Sequence, residues 1–355
     1  MSSVKFLHQN SAFYDTVKKR VDEYFIQNKI STYGNWKLYS KTLTLIPAAI
    51  IIYFSVLFIS LPPVIAILLC GLLGFVMASI GFNVMHDACH GSYSSKKWLN
   101  NILGLTLNCL GGNAFLWKIK HNIVHHTYPN VDGMDDDIAK FPVIRQCHSQ
   151  PYVKIHRYQH IYSVLVYALS SFLWAFVMDF VKYFGQKIYT TPISKISRKE
   201  HFIFWGSKIL YVCFYVALPI YLLGFTPWLI GFTAMHLVMG LTLAMVFQLA
   251  HVVEDTHFED AEKSKTIEVE WAVHQVRSTA NFAMNNKFIS WLVGGLNFQI
   301  EHHLFPRISH VHYPAISKFV QESCEQYHIK YVHFPTMGAA INSHFRFMRA
   351  LGAGH

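Results

Sequence analysis

The sequence predicts an all-α integral membrane protein, with four transmembrane helices under a cytosolic helical cap that holds a di-metal site. Three observations predict it. The chain is poor in charge, it contains apolar runs of bilayer length, and its histidines gather at the ends of those runs.

Of 355 residues, 52% are hydrophobic and only 14% are charged, where ordinary soluble domains carry roughly 25% charge. Hydrocarbon is the solvent that suits such a composition. The net charge of +10 does not point to nucleic acid, because Lys and Arg are scattered beside apolar runs and form no basic stripe. In that setting they favour the cytoplasmic side of a membrane. The six cysteines show no CxxC and no regular spacing, which argues against a disulfide scaffold or a thiolate site. Residues 1–42 are polar and basic without the order of a secretory signal, so this segment is expected to stay cytosolic.

Crossing about 30 Å of hydrocarbon takes roughly 20 residues. The runs at 43–60, 64–85, 161–180, 202–225 and 228–250 approach or reach that length, with a shorter Gly-rich run at 102–117. Five crossings would put His251 on the opposite side from the earlier histidines, so one run should not cross. Lys182, Lys187, Lys195, Arg198 and Lys199 follow residue 180, and the amino-terminal segment is equally basic. The positive-inside rule places both in the cytoplasm. The turns at 61–63 and 226–227 carry no charge and fall outside. Thus 43–60, 64–85, 202–225 and 228–250 cross, and 161–180 lies in the interface. Residues 86–201 and 251–355 then form the cap of a single domain, with both termini and the histidine clusters on the cytosolic side.

Histidine is abundant, with 22 in the chain, so an HxxxH pair arises about once by accident. Spacing alone therefore proves little. Of the three pairs, His86 with His90 follows directly on an apolar run, and His121 with His125 is joined by His126. On a helix, residues four apart differ by about 40° around the axis, so each pair points two imidazoles the same way. With His302 and His303 the set reaches seven, more ligands than one ion uses, and His251 at the end of the last apolar run makes an eighth. Imidazole suits iron, zinc, copper and nickel alike, which leaves the metal open. Asp87, Glu254, Asp255 and Glu301 are of the type that accepts a hydrogen bond from an outer imidazole nitrogen. His156 with His160 is set aside as a chance pair, and His236 as a packed core histidine. His310 and His312 are neighbours of the site and not ligands.

The segments HDACH (86–90), HNIVHH (121–126) and QIEHH (299–303) resemble the three histidine boxes of membrane fatty acyl desaturases. The resemblance continues through HHTYPNVDGMDDDI (125–138), HVVED (251–255), HHLFP (302–306) and HVHYPAI (310–316), and so covers the chain beyond its amino-terminal segment. It implies two irons bound by His86, His90, His121, His125, His126, His251, His302 and His303. It also implies dioxygen as co-substrate and a cis double bond as product. Gln299 stands where many members have histidine, which resembles the front-end (linoleoyl, delta-6 type) subgroup, and Gln299 is expected to line the site. No HPGG motif of a fused cytochrome b5 is found, so a separate electron donor of cytochrome b5 or ferredoxin type is implied. The fatty acyl substrate rides on coenzyme A, an acyl carrier or a membrane lipid, and Trp117 is a candidate wall of its tunnel.

Two rivals share parts of this pattern. A membrane di-iron hydroxylase would use the same site with a different product. A metal-binding transporter calls for ionisable residues along the spans, whereas these histidines gather at the ends. A zinc protease lacks its HExxH.

Overall fold

The computed structural model describes residues 4–6, 12–139, 142–261, 263 and 265–354. The helices run in the order α1 (Ala12–Asn28), α2 (Trp36–Phe58), α3 (Pro63–His90), α4 (Lys97–Gly104), α5 (Thr106–Cys109), α6 (Ala114–Lys118, continuing through Ile119–His125), α7 (Lys154–Gly185), α8 (Arg198–Leu223), α9 (Phe225–His251), α10 (Trp271–Arg277), α11 (Lys287–Leu292), α12 (Gln299–Leu304), α13 (Tyr313–Gln326) and α14 (Met337–Gly352). Among the described residues five of these, α2, α3, α7, α8 and α9, are long and apolar enough to cross a membrane.

Their ends follow from local chemistry. Asn35 Oδ1 accepts the Lys37 amide at 2.9 Å and starts α2, a side-chain cap for an otherwise orphaned donor. Pro63 opens α3, where its missing N–H costs nothing. Ser197 caps α8 through the Glu200 amide. The break between α8 and α9 falls at Gly224, whose φ of 86° is a left-handed turn that glycine adopts without strain. That corrects the expected turn at 226–227, because Pro227 is accommodated in the first turn of α9. The run at 102–117 divides into α4, α5 and the start of α6, interrupted by Gly111 at φ 94° and by Asn113, whose side chain caps α6.

The central pair is α3 and α9, which bury 44% and 39% of their apolar windows, against 22% or less for the others. Small residues make this possible. A Cβ at Gly74 would lie 2.0 Å from the Met235 carbonyl oxygen, and one at Gly240 would lie 2.4 Å from that of Ala168. At these two points α3 and α7 meet the backbone of α9, the close approach that glycine permits between apolar helices. On the outer faces Ile51, Phe54, Phe58, Val64 and Leu68 are exposed, as side chains in contact with lipid must be.

The two ends of α7 are tied to different segments. Near its start, Gln159 Nε2 donates to the Met348 carbonyl of α14 at 2.8 Å. Near its finish, Lys182 bonds Asp136, which lies 3.8 Å from Lys120, the neighbour of His121. Beyond the long helices, α1 presents Phe13, Val17, Val21 and Phe25 at four-residue spacing to Phe298, Ile300, Tyr313 and Ile316. Each such buried side chain contributes about 1.5–3 kcal/mol. Two-residue parallel bridges tie distant segments together: Lys5–Phe6 with Thr266–Ile267, Val131–Asp132 with Glu259–Asp260, and Asn281–Phe282 with His333–Phe334.

Candidate metal centre

Four helices bring the histidines together. His86 and His90 end α3, His121 and His125 lie on α6, His251 ends α9, and His302 and His303 lie on α12. Two of these helices widen where the histidines begin. In α3 the stretch Gly81–Met85 winds as a π turn, and in α6 the stretch Ile119–His125 does the same. The His126 amide accordingly donates to the His121 carbonyl at 3.0 Å. In a regular α-helix residues five apart diverge by about 140°. The wider turn brings His121 and His126 into line, a distortion that recurs at functional sites.

The rings form two groups. His86, His90, His121 and His302 have ligand atoms within 4.8 Å of one another, and so do His125, His251 and His303. His126 stands between them, its ring 4.8 Å from that of His90, 4.6 Å from His302 and 4.5 Å from His303. Nitrogens face nitrogens: His86 Nε2 lies 3.2 Å from His121 Nε2, which lies 3.3 Å from His126 Nε2.

Several buried nitrogens have no hydrogen-bond partner: Nε2 of His90, His125, His302 and His303, and both nitrogens of His251. Burying an unpaired polar atom is costly, and six such nitrogens on five neighbouring rings fit bound cations. On the opposite edges of three rings the nitrogens are occupied. His125 Nδ1 faces Asp135 at 3.1 Å, His303 Nδ1 faces Gln275 Oε1 at 2.8 Å, and His302 Nδ1 faces the Tyr313 hydroxyl at 3.1 Å. Such outer bonds fix the tautomer that leaves Nε2 free for a metal. Burial first, and then the crowding of like rings, holds His121, His126, His302 and His303 well below the ordinary imidazole pKa. They are neutral at pH 7, the form that metals bind. Burial pulls His125 the same way, but the Asp135 carboxylate outweighs it and raises the pKa.

The fatty acid desaturase family pattern matches residues 59–335. The chain belongs to that family. It is 35% identical over 352 residues to the sn-1 linoleoyl-lipid 6-desaturase of Synechocystis, covering 98% of each chain. To the enzyme of the same name from Arthrospira platensis it is 33% identical, covering 96% of this chain and 92% of the other. An acyl-lipid (8-3)-desaturase of Physcomitrium patens is 36% identical over 97% of this chain and 72% of its own. The protein is therefore a fatty acyl desaturase, an oxidoreductase, and the family together with the histidine clusters suggests a di-iron site.

Within the desaturase, the carboxylates expected beside the histidines take other places. Asp87 turns away from the ring clusters, accepting from the Ser309 hydroxyl at 2.7 Å and lying 3.0 Å from His310 Nδ1. Lys41 Nζ meets the other face of His310 at 2.9 Å. Glu301 bonds the Asn281 amide at 2.8 Å and the Tyr331 hydroxyl at 2.7 Å, and burial pushes its carboxyl up to about 7. Asp255 is exposed and pairs with Lys330 at 2.9 Å, while Glu254 pairs with Arg346. The bonding partners of the rings are instead Asp135, Gln275 and Tyr313. Of these, Asp135 and Tyr313 fall inside the motif stretches 125–138 and 310–316, but nothing in the sequence pattern marks Gln275.

Gln299 is buried three and four residues before His302 and His303 on α12, a spacing that shares their helix face. Trp117 stacks on His121 with ring centres 4.3 Å apart. His156 is bonded to the Val153 amide and the Pro142 carbonyl. His236 is bonded through both nitrogens, to Ser171 and Tyr211. Neither joins the clusters. A small, narrow apolar cavity of about 20 Å³ opens between the helices, lined by Gly81, Met85, Leu107, Gly112, Ser171 and Trp174 among others. Met85 precedes His86 and packs with Trp117 and Trp174, so the cavity adjoins the histidine site.

Proposed function

We propose that this desaturase inserts a cis double bond into an acyl chain carried on a membrane lipid, on the carboxyl side of an existing double bond. It uses two irons, dioxygen and two electrons from a separate carrier. The observation that carries the reading is the pair of histidine groups with unpartnered nitrogens, next to an apolar cavity that reaches Met85. The lipid-linked substrates in the relatives' names and Gln299 at the head of the third box support the substrate class and the front-end position.

The eight histidines, His86, His90, His121, His125, His126, His251, His302 and His303, would hold the irons, with Gln299 lining the site. Two bound irons supply the oxidising power that removal of hydrogen from unactivated methylenes demands. The protein's part is placement. Asp135, Gln275 and Tyr313 fix the ring orientations. Met85, Trp117 and Trp174 give the acyl chain a dry wall beside the histidines, where it can be held with one methylene pair aligned. Within a single membrane domain, α2, α3, α8 and α9 cross the bilayer and α7 lies against the cytosolic face. The bonds from the two ends of α7 to Met348 and to Asp136 support that assignment, in which the termini and the site lie on the cytosolic side.

The test is expression in a host supplied with defined acyl lipids, with mass spectrometry of the products. A new alkene between the carboxyl group and an existing double bond is expected. A hydroxylated chain would make the protein a hydroxylase and sink the reading.

A further inference from the structure

The site must be fed with electrons from outside, and most of its histidines are buried. Among the described aromatic residues that touch the cluster, Trp117 and Tyr313 are buried, and Phe247 lies on the apolar helix α9. Trp271 is different. It begins α10, outside the long apolar helices, and is half-buried. Its indole Nε1–H donates to the main-chain carbonyl of His126 at 3.2 Å. A buried indole N–H ordinarily finds such a partner, but here the partner belongs to the residue between the two histidine groups. The His126 ring is 4.7 Å from that of His121, 4.6 Å from His302 and 4.5 Å from His303. On its outer side Trp271 meets Tyr14 of α1 edge-on at 5.6 Å, and Tyr14 stacks on Phe305 at 6.0 Å.

We propose that Trp271 is the gateway through which a one-electron carrier protein reduces the metal site, the electron passing from the indole across its hydrogen bond into His126. The proposal rests on the redox reading of the site given above. Its physical basis is that electron transfer through protein weakens with distance and favours covalent and hydrogen-bonded routes over gaps. Trp271 offers one such bond between the surface and a residue central to the site. A transient carrier contact is small, less than about 1,200 Å² in total, so a half-buried aromatic at the surface with Tyr14 of α1 beside it suffices as the touching point. The balance is complete: one alkyl CH₂–CH₂ unit, dioxygen, two electrons and two protons give one alkene and two waters. Each electron oxidises one carrier molecule of heme or iron–sulfur type, and the protons come from water.

The test uses full-length, iron-loaded enzyme in nanodiscs and follows reduction of the oxidised site by stopped-flow. Reduced cytochrome b5 and reduced ferredoxin are the carriers, in separate arms, and dithionite is the small reductant. For Trp271→Leu the limiting rate at saturating carrier is expected to fall about tenfold or more, as for other partners of ligand residues. Bound iron and the dithionite rate should hold. Trp271→Phe keeps the ring and loses the N–H, and should fall between the two; it also serves if the leucine variant folds poorly. An unchanged limiting rate, or weaker carrier binding alone, overturns the proposal. So does an equal slowing with dithionite or a loss of iron, which would make Trp271 a support for His126 and nothing more. Wild-type protein that binds no iron would instead remove the redox reading itself, and the iron assay alone distinguishes that outcome.

Discussion

His303 Nδ1 lies 2.8 Å from the amide oxygen Oε1 of Gln275, a bond between α12 and α10 that leaves His303 Nε2 facing His125 and His251. Gln275 is fully buried, so water does not compete for the bond that sets the ring's tautomer. Gln275→Leu should lower iron affinity or turnover by about 10–100-fold, the usual cost of removing such a partner. Iron titration of the purified variant checks it; an unchanged affinity would show that packing alone orients His303.

His121 belongs to the first histidine group and stacks on His125 of the second at 5.2 Å. His121→Ala is expected to abolish activity and deplete bound iron. His156, with the same spacing from its own partner, should behave oppositely: His156→Ala keeps its iron and loses about 1–3 kcal/mol of stability from two broken buried bonds. Iron content per protein, measured on both variants, decides between them.

The cavity beside Met85 predicts chain-length selection. A Cβ at Gly81 would sit 3.6 Å from Leu110 and Leu243, an ordinary contact, so Gly81→Ala should be tolerated. Gly81→Leu pushes further carbons into the space and should shift preference toward shorter acyl chains by about tenfold. Product ratios from paired lipids of two chain lengths test this. A ratio that does not move would place the acyl chain elsewhere.

Stability should decline in acid through His344. Its Nδ1 bonds the Val252 carbonyl at 2.6 Å and its Nε2 the Tyr167 hydroxyl at 3.0 Å, and burial pushes its pKa down to about 4. Between the unfolded value near 6.5 and about 4, the unfolded chain binds the proton that the folded chain refuses. The contribution is therefore full above pH 6.5 and is lost as pH falls through that window. Thermal melting against pH should show the loss, and His344→Gln should flatten this arm of the curve.

Much of this protein was legible in the chain because hydrophobic length and charge act locally. The apolar runs become α2, α3, α7, α8 and α9, since a run of that length has few other ways to satisfy its backbone in hydrocarbon. The histidine motifs also announce themselves, because a metal site uses rare residue types at short spacings. Helix ends were less legible: Gly224, and not Thr226 or Pro227, makes the turn before α9, since proline suits a first helical turn as well as a loop.

The partners of the rings were the least legible part. Asp87 and Glu301 stand beside ligand-type histidines in sequence yet bond to Ser309 and to Tyr331, because neighbours on a helix point about 100° apart. Gln275 reaches His303 from 28 positions away. The sequence by itself determined the membrane class, the apolar helices and the identity of the clustered histidines. Only the tertiary structure decided how those histidines divide into two groups, that a π turn brings His126 into line with His121, and which side chains hold the rings. The grouping and the ring partners depend on where separate helices meet, among them α3 with α9 at Gly74 and α7 with α9 at Gly240, and no local pattern encodes those meetings.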